Sequence, residues 1–347
     1  MITYGYSMGP STADPLVALI EKMMDNLSLA QVPLSFIVDI LPLLRHLPEG
    51  FPGTRFKKLA RDLYQTTRGV LDAPYYFVQE QMARGTNRPS YVSSLIHKLS
   101  HDSGDKRLSK QDEDTIKETA GIVYGGGADT TVSTLSSFVL AMLLFPEVQK
   151  KAQKEIDDVI GPTRLPGFED HERLPYVNAL IKESMRWFPV LPMNTAHATD
   201  EEIVYEGYRI PKGSYLLTSN WWLLHDPEVY PDPSAFDPER YIEPRSERDP
   251  LDHAFGYGRR ICPGRHFAMN SLFITISRFL ATFNIIKKVS DGIELEVKVE
   301  ATPGIINHPT PYPYTIKVRS EKYADLIRSV EQDHPWERSD GGLLKIH

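Results

Sequence analysis

Apolar residues recur at helical spacing over most of this chain. From Asp14 to Leu29 the positions Leu16, Leu19, Ile20, Met23, Met24 and Leu27 form one stripe, which predicts an amphipathic helix. Arg55 to Ala83 predicts a longer helix, with Phe56, Leu59, Leu63, Val70, Tyr76 and Phe77 as its apolar positions, and Tyr91 to Leu99 a shorter one. Between the first two, Pro33 to Pro48 is apolar but broken by prolines, which fits a hinge, a lid or a segment that touches a membrane surface. The longest helical pattern runs from about Asp112 to Leu144 and carries Gly125-Gly126-Gly127 in its middle. Each glycine costs about 1 kcal/mol against alanine in a helix interior. A kink, or the close approach of another group, is therefore expected there. Further helices are expected at Pro146 to Ile160, stopped by Gly161-Pro162, and at Leu174 to Trp187, stopped by Pro189.

From Ile203 the texture changes. Ile203 to Gly213 predicts a β-hairpin and Ser214 to Ser219 a strand. Asn220 to Arg240 is rich in Pro and Asp and predicts an irregular but ordered meander. The apolar run Phe267 to Phe283 predicts a buried helix, and Ile285 to Val299 and Tyr314 to Val318 predict short strands. Ser100 to Ser109 is polar and expected to be a mobile loop, and residues 320–347 are polar and expected to be a poorly ordered tail. No internal repeat and no domain linker interrupts the pattern. The expectation is a mainly α fold with small β-sheets, forming a single domain over residues 1–347.

Composition narrows the function classes. Apolar residues make up 41%, enough for a sizeable core, and the net charge of -7 argues against a nucleic-acid partner, which calls for a basic patch. The one cysteine excludes an intrachain disulfide and fits a reducing compartment or the cytosolic face of a membrane. Met1 to Pro15 has neither the basic nor the apolar region of a signal peptide. Leu27 to Leu44 is apolar but interrupted by Gln31, Pro33, Asp39 and Pro42, so no transmembrane segment is expected, a span needing about 20 mostly apolar residues. Leu135 to Phe145 and Phe267 to Phe283 are expected to be core helices.

The lone cysteine carries the candidate chemistry. It lies in Ala254-Phe255-Gly256-Tyr257-Gly258-Arg259-Arg260-Ile261-Cys262-Pro263-Gly264, just before a helical run. Glycines there let the backbone bend tightly and approach something flat. Cys262 could be a buried structural thiol, half of a zinc site with His266, or an axial thiolate on haem iron. The zinc reading lacks further ligands, because structural zinc sites take four of Cys or His type. On the haem reading Phe255 packs against the porphyrin, and Arg260 meets a propionate, since a guanidinium suits a carboxylate.

The run Phe255-Gly256-x-Gly258-x-Arg260-x-Cys262-Pro263-Gly264 resembles the haem-binding loop of the cytochrome P450 family. The resemblance implies haem b (iron protoporphyrin IX) with Cys262 as axial thiolate, and Phe255, Gly256, Gly264 and Arg260 beside the cofactor. Glu183-Ser184-Met185-Arg186 puts a carboxylate and a guanidinium on one helix face, by itself an ordinary surface pair. It resembles the family's Glu-x-x-Arg motif, and Pro238-Glu239-Arg240-Tyr241 supplies the arginine onto which that motif locks. Glu183, Arg186 and Arg240 are therefore implied to be structural. Gly126-Gly127-Ala128-Asp129-Thr130-Thr131 resembles the family's oxygen-binding groove, the alternative being a kink with a solvated Asp and a capping Thr. Ile122, Gly126, Thr130 and Ser133 share a face by spacing. The resemblance implies that Asp129 and Thr130 hold the waters that protonate bound dioxygen, with Gly126 lining the cofactor side. His197 is implied as a propionate partner, against the alternative of a plain surface histidine. Pro189 to Asn194 and Gly304 to Asn307 resemble the family's pocket-lining loops. They offer Val190, Leu191, Met193, Ile305 and Ile306, with Tyr124 a further candidate and plain packing the alternative for all six. Arg259, Arg265, Lys150, Lys151 and Lys154 offer a basic patch for a reductase, or simply solvated charge.

The resemblance extends from the first helix to about Val318 and is similar in texture to fungal members of secondary metabolism. It implies a haem-thiolate monooxygenase that inserts one oxygen atom from O2 into an apolar small molecule, with electrons from an NADPH-cytochrome P450 reductase. Complete relatives are expected on the cytosolic face of the endoplasmic reticulum membrane, and this chain is expected to touch the membrane without an anchor. Against the family pattern the chain starts near the end of the fifth helix. The implied fold is thus a cytochrome P450 fold lacking its N-terminal helices and strands, including the helix whose Trp and Arg cover the haem. The competing expectation is an inactive truncated remnant, or a gene-model fragment, that at most binds haem.

Overall fold

The computed structural model describes residues 1–10, 13–32, 34–102 and 108–346. Its contacts group the chain into two compact units, Met1–Asp129 with His334–His347, and Thr130–Asp333. Both are built mainly of helices, as the hydrophobic pattern predicts, and four small antiparallel sheets complete the second.

In the first unit, α1 (Pro15–Gln31) begins where Asp14 accepts the amides of Leu16 and Val17, and Pro15 stands where no amide hydrogen is needed. Leu16, Ile20 and Met24 of its predicted stripe are buried. The proline-broken segment that follows forms only a short turn, α2 (Ile37–Ile40), and a 3-10 turn at Pro42–His46. Its apolar side chains face outward, Leu43 being 80% exposed. Helix α3 (Arg55–Arg84) stops at Gly85, whose φ of 67° suits glycine. Helix α4 (Tyr91–Asp102) follows, and then α5 (Lys110–Ala128), capped by Ser109. Tyr75, not the expected Tyr76, is the buried tyrosine of α3, because Val70, Pro74, Phe77 and Val78 define the inward stripe. Tyr76 turns outward, and its hydroxyl accepts from Lys117 Nζ at 2.9 Å. The core gathers Tyr4, Tyr6, Leu16, Tyr75, Phe77 and Ile116. The expected mobile loop Ser100 to Ser109 falls largely on residues outside the described ones.

The three glycines do not break their helix where they stand. Helix α5 runs through them to Ala128, and the interruption comes at Asp129, with φ -102° and ψ -43°. Gly125 packs on α1, where an added Cβ would meet Met23 Cε at 3.3 Å, whereas Gly126 and Gly127 face open space. The close approach therefore belongs to the first glycine only.

The second unit opens with α6 (Thr130–Leu144), α7 (Pro146–Val159) and α8 (Pro175–Trp187). Short strands β1 (His197–Ala198), β2 (Ile203–Tyr205), β3 (Tyr208–Ile210) and β4 (Tyr215–Leu216) follow, β1 pairing with β4 and β2 with β3. Next come α9 (Asn220–His225), α10 (Leu251–Ala254) and α11 (Arg265–Thr282). Strands β5 (Phe283–Lys287), β6 (Val289–Ser290), β7 (Ile293–Glu294) and β8 (Tyr314–Val318) lead to α12 (Glu321–Asp333). β5 pairs with β8 and β6 with β7. The core lies among α6, α7, α8 and α11, with Phe138, Leu140, Leu180, Ile181, Phe273 and Ile276 at its centre. Gln149 of α7 pins β5 by bonding both the carbonyl (2.9 Å) and the amide (2.8 Å) of Ile285.

Three expectations change. The strand expected over Ser214 to Ser219 is confined to β4, and that over Ile285 to Val299 splits into β5, β6 and β7, turning at Asp291 and Gly292, both with positive φ. The polar stretch expected to be a poorly ordered tail contains α12. Its composition hid the helix, because that helix buries little beyond Tyr323, whose hydroxyl donates to Asp157 at 2.8 Å. By length and composition the stretch Lys110–Leu144 could cross a membrane, a test that core helices also pass. Its buried residues Ile116, Ala120, Leu140 and Ala141 lie in the two protein cores.

Candidate active site

The cysteine loop is shaped by its glycines. Gly256 (φ 77°) and Gly258 (φ 56°) adopt the left-handed conformation, which costs another residue about 1–2 kcal/mol. Between them and Cys262 the chain makes a 3-10 turn, Gly258–Arg260. The Cys262 amide then donates to the Phe255 carbonyl at 2.8 Å and closes the loop. Cys262 is half-buried, and α11 begins three residues later, with Gly264 at its N-cap. A Cβ on Gly264 would lie 3.8 Å from Cys262 Sγ, so the glycine leaves the space beside the sulfur clear. Phe255 packs on the core of the unit.

A hydrogen-bonded chain that sequence reasoning missed steadies this loop. His253 Nδ1 is bonded to Tyr257 Oη at 2.8 Å, Tyr257 donates to Asn220 Oδ1 at 3.2 Å, and Asn220 Nδ2 donates to the Leu191 carbonyl at 3.2 Å. Burial, and then the nearby Arg248, push the His253 imidazole below its usual pKa. The local signal was the i, i+4 spacing of His253 and Tyr257 on the approach to the loop.

Glu183, Arg186 and Arg240 do come together, and all three are buried. Arg186 meets both carboxylate oxygens of Glu183 at 2.8 Å, and Arg240 Nε reaches Oε1 at 3.3 Å. The set extends beyond the three expected residues. Tyr241 donates to Glu183 at 2.8 Å, the Asp237 amide donates at 2.9 Å, and Glu247 pairs with Arg240 at 3.0 Å. Four further guanidinium hydrogens go to the carbonyls of Leu224, Pro231, Asp232 and Ala235. Burial works against the Arg186 charge, but Glu183 outweighs it and holds the guanidinium pKa above its usual value. Burial, and then Glu183, raise the Tyr241 phenol far above its usual range. This network fastens the meander to α8 with every buried charge compensated.

The other candidates are distributed as follows. Asp129 ends the first unit and Thr130 begins the second, both half-buried, at the interruption between α5 and α6. Of the residues sharing their face, Ser133 is buried, whereas Gly126 is exposed and Ile122 is 74% exposed. The two expected pocket loops meet: the Asn307 amide donates to the Val190 carbonyl at 2.8 Å, and the Ser133 hydroxyl donates to the Asn307 carbonyl. Ile306 is buried, Val190, Leu191 and Ile305 are half-buried, and Met193 faces outward. A cavity of about 400 Å³ adjoins these loops, but Trp187, Phe188, Pro189, Trp221, His225 and Asn307 line it, rather than the five apolar candidates. Tyr124 packs on the core of the first unit, edge-to-face with Tyr4 at 5.7 Å, and burial pushes its phenol up to about 12. His197 is exposed on β1, and Arg260 is exposed in the 3-10 turn. The lysines of the basic patch are matched by acids. Lys150 pairs with Glu147 (2.9 Å), Lys151 with Glu239 (2.6 Å) and Lys154 with Asp158 (2.5 Å).

The donor set suits a metal carried inside a cofactor. Among the described residues no group of three or more His, Cys, Asp or Glu is placed to hold a metal ion. A single half-buried sulfur on a glycine-rich loop fits a metal whose other ligands arrive with a planar macrocycle, and not a four-ligand protein site.

Comparison with known proteins agrees. The family model for cytochrome P450 matches residues 2–316. The chain is 53% identical to cytochrome P450 monooxygenase CLM2 of Gibberella zeae over 345 residues, covering 99% of this chain and 65% of that protein. It is 46% identical to the multifunctional cytochrome P450 monooxygenase af510 of Aspergillus fumigatus, again over 99% of this chain and 65% of the relative. It is 39% identical to the O-methylsterigmatocystin oxidoreductase of Aspergillus flavus, over 98% of this chain and 63% of the relative. The chain thus spans about two thirds of the length of these curated relatives. A helical fold with small sheets, a lone thiol on a glycine-shaped loop and a match along nearly the whole chain converge: the protein belongs to the cytochrome P450 family.

Proposed function

We propose that this protein is a haem-thiolate monooxygenase that inserts one oxygen atom from O2 into an apolar small molecule. Electrons come from an NADPH-dependent reductase at the cytosolic face of the endoplasmic reticulum membrane, and both units belong to one cytochrome P450 domain. The observation that carries the reading is Cys262, a lone thiol beside the side-chain-free Gly264 on a loop closed by the Phe255 carbonyl. The relatives' printed names, monooxygenase and oxidoreductase, support it.

Haem bound at Cys262 supplies the activation of O2, which no side chain provides. Each residue then has a task. The loop closure at Phe255 and the first turn of α11 orient Cys262 Sγ, and Gly256 and Gly258 permit that turn. Phe255 would sit beside the bound cofactor, and Arg260 and His197 would neutralise its carboxylates. The Asp129 carboxyl takes up protons from solvent, and the Thr130 hydroxyl holds the water through which they pass. The interruption between α5 and α6 falls at Asp129, next to Thr130. The loops that carry Val190, Leu191, Ile305 and Ile306 flank the substrate side, with their Pro189 and Asn307 lining the adjoining cavity, and Ser133 holds the two loops together through Asn307.

Haem titration tests the proposal. The reduced protein with carbon monoxide should show the long-wavelength band of a thiolate-ligated haem, and Cys262→Ala should abolish it. Thr130→Ala should keep the band but divert electrons from product to peroxide. A wild-type chain that binds haem without that band would overturn the thiolate assignment, and unchanged coupling in Thr130→Ala would overturn the relay.

A further inference from the structure

The chain passes between its two units twice, at Asp129–Thr130 and again at Asp333–His334. The second passage lies beyond residue 316, where the family match stops. Residues 334–346 then become part of the first unit. Their seat is Arg88, in the turn between α3 and α4. Arg88 Nη1 donates to the Gly5 carbonyl at 2.9 Å and pairs with Asp340 at 2.6 Å, while Nε pairs with Glu337 at 2.8 Å. Asp340 is buried. Its carboxylate accepts the Ser7 amide at 2.9 Å, and its own amide donates to the Ser7 carbonyl at 2.9 Å. Further on, Leu344 packs on the apolar core and Lys345 pairs with Glu80 of α3 at 2.5 Å. Leu343 and Lys345 cover a cavity of about 400 Å³ above Ala73, Tyr76 and Phe77 of α3.

A polar segment that buries so little apolar surface would ordinarily stay loose, because ordering each residue costs about 1–2 kcal/mol. Here a buried carboxylate, a reciprocal backbone pair and a guanidinium shared by three partners offset that cost. The same guanidinium holds the N-terminal segment, whose Ile2 and Thr3 carbonyls accept the amides of Tyr91 and Val92 at the start of α4. Before the second passage, within the second unit, Arg319 and Tyr323 grip Asp157 at 2.5 and 2.8 Å.

We propose that residues 334–346 are a latch. Seated on Arg88, it holds the segment Met1–Ser7 on α4 and closes over α3. Unseated, it frees that segment, while the second unit, with its cysteine loop, stays folded. The latch is independent of the haem reading, since neither its residues nor its readout involves the cofactor.

Hydrogen exchange followed by mass spectrometry tests it on the full chain, on Asp340→Asn, on Glu337→Gln, and on a chain ending at Asp333. In the full chain, amides of residues 334–346 and of 1–10 should be protected. Asp340→Asn and the shortened chain should accelerate exchange in residues 1–10 and 88–95 by at least about tenfold, leaving residues 255–265 unchanged. Glu337→Gln, which removes only the exposed arm, should loosen residues 334–346 without unfolding either unit, and so decides the matter if the other two variants fail to fold. Unprotected amides at 334–346 in the full chain, or exchange in residues 1–10 that none of the variants alters, would overturn the latch.

Discussion

The buried hydroxyl of Ser133 donates to the backbone carbonyl of Asn307, 174 residues further along the chain. Through Asn307, whose carbonyl accepts from Ser133 and whose amide donates to Val190, α6 is tied to both apolar loops. Ser133→Ala leaves the half-buried Asn307 carbonyl without this partner. The expected cost is about 0.5–1.5 kcal/mol of stability, measured by urea denaturation, with faster amide exchange confined to residues 304–307 and 190–194. A change spread evenly over the second unit would contradict so local a role.

Glu183 serves two buried guanidiniums, a half-buried phenol and a backbone amide at once. Glu183→Gln keeps the shape but strands the charge of Arg186, leaving Arg240 with Glu247 as its one carboxylate, and should cost about 3–5 kcal/mol. Arg186→Met should be similarly damaging, and the double variant less so than the sum of the two. Denaturant midpoints of the three proteins test this, and strict additivity would show that the residues do not act as one set.

Two glycines of the candidate site should respond in opposite directions. Gly256 has a φ of 77°, so Gly256→Ala should destabilise the cysteine loop by about 1–2 kcal/mol even though an added Cβ would meet nothing closer than 3.9 Å. Gly126 is helical and faces open space, so Gly126→Ala should raise the stability of the first unit by about 1 kcal/mol. Thermal or urea unfolding reads both signs directly.

Asp170 is buried and accepts from Arg164 at 2.6 and 2.7 Å, from Arg173 at 2.9 Å and from the Gly167 amide at 2.9 Å. Arg164, against the opposing effect of burial, holds its pKa down to about 2, from an ordinary value of 3.8. A carboxylate depressed by folding stabilises the protein above its unfolded pKa, and that stability is lost as pH falls through the folded one. Wild-type stability should therefore exceed that of Asp170→Asn at pH 7, and the gap should narrow from about pH 4 toward pH 2, as followed by urea midpoints. A gap independent of pH would mean that Asp170 acts through shape alone.

Much of the candidate site was legible because its signals are local. The glycines around Cys262 and the i, i+3 pair Glu183 and Arg186 can each be read within a dozen residues. What escaped depended on partners far along the chain. Lys151 reads as free positive charge until Glu239 is found beside it, 88 residues on. Tyr124 reads as a pocket residue until Tyr4 is found against its ring. Tyr75 and Tyr76 are adjacent and chemically alike, and only packing against the buried side of α3 chose between them.

The amino-acid sequence by itself determined the helical stripes, the glycine positions that bend the cysteine loop and the identity of the lone thiol. Each follows from steric and periodic rules acting over a few residues. Only the tertiary structure decided which polar groups are buried and with what partners. It set Tyr241 and Glu247 around the Glu183 set, gave Ser133 its carbonyl, and turned a polar C-terminal stretch into a segment seated on Arg88. Burial of a charge is tolerable only where distant segments supply its hydrogen bonds, and no local pattern records which segments those will be.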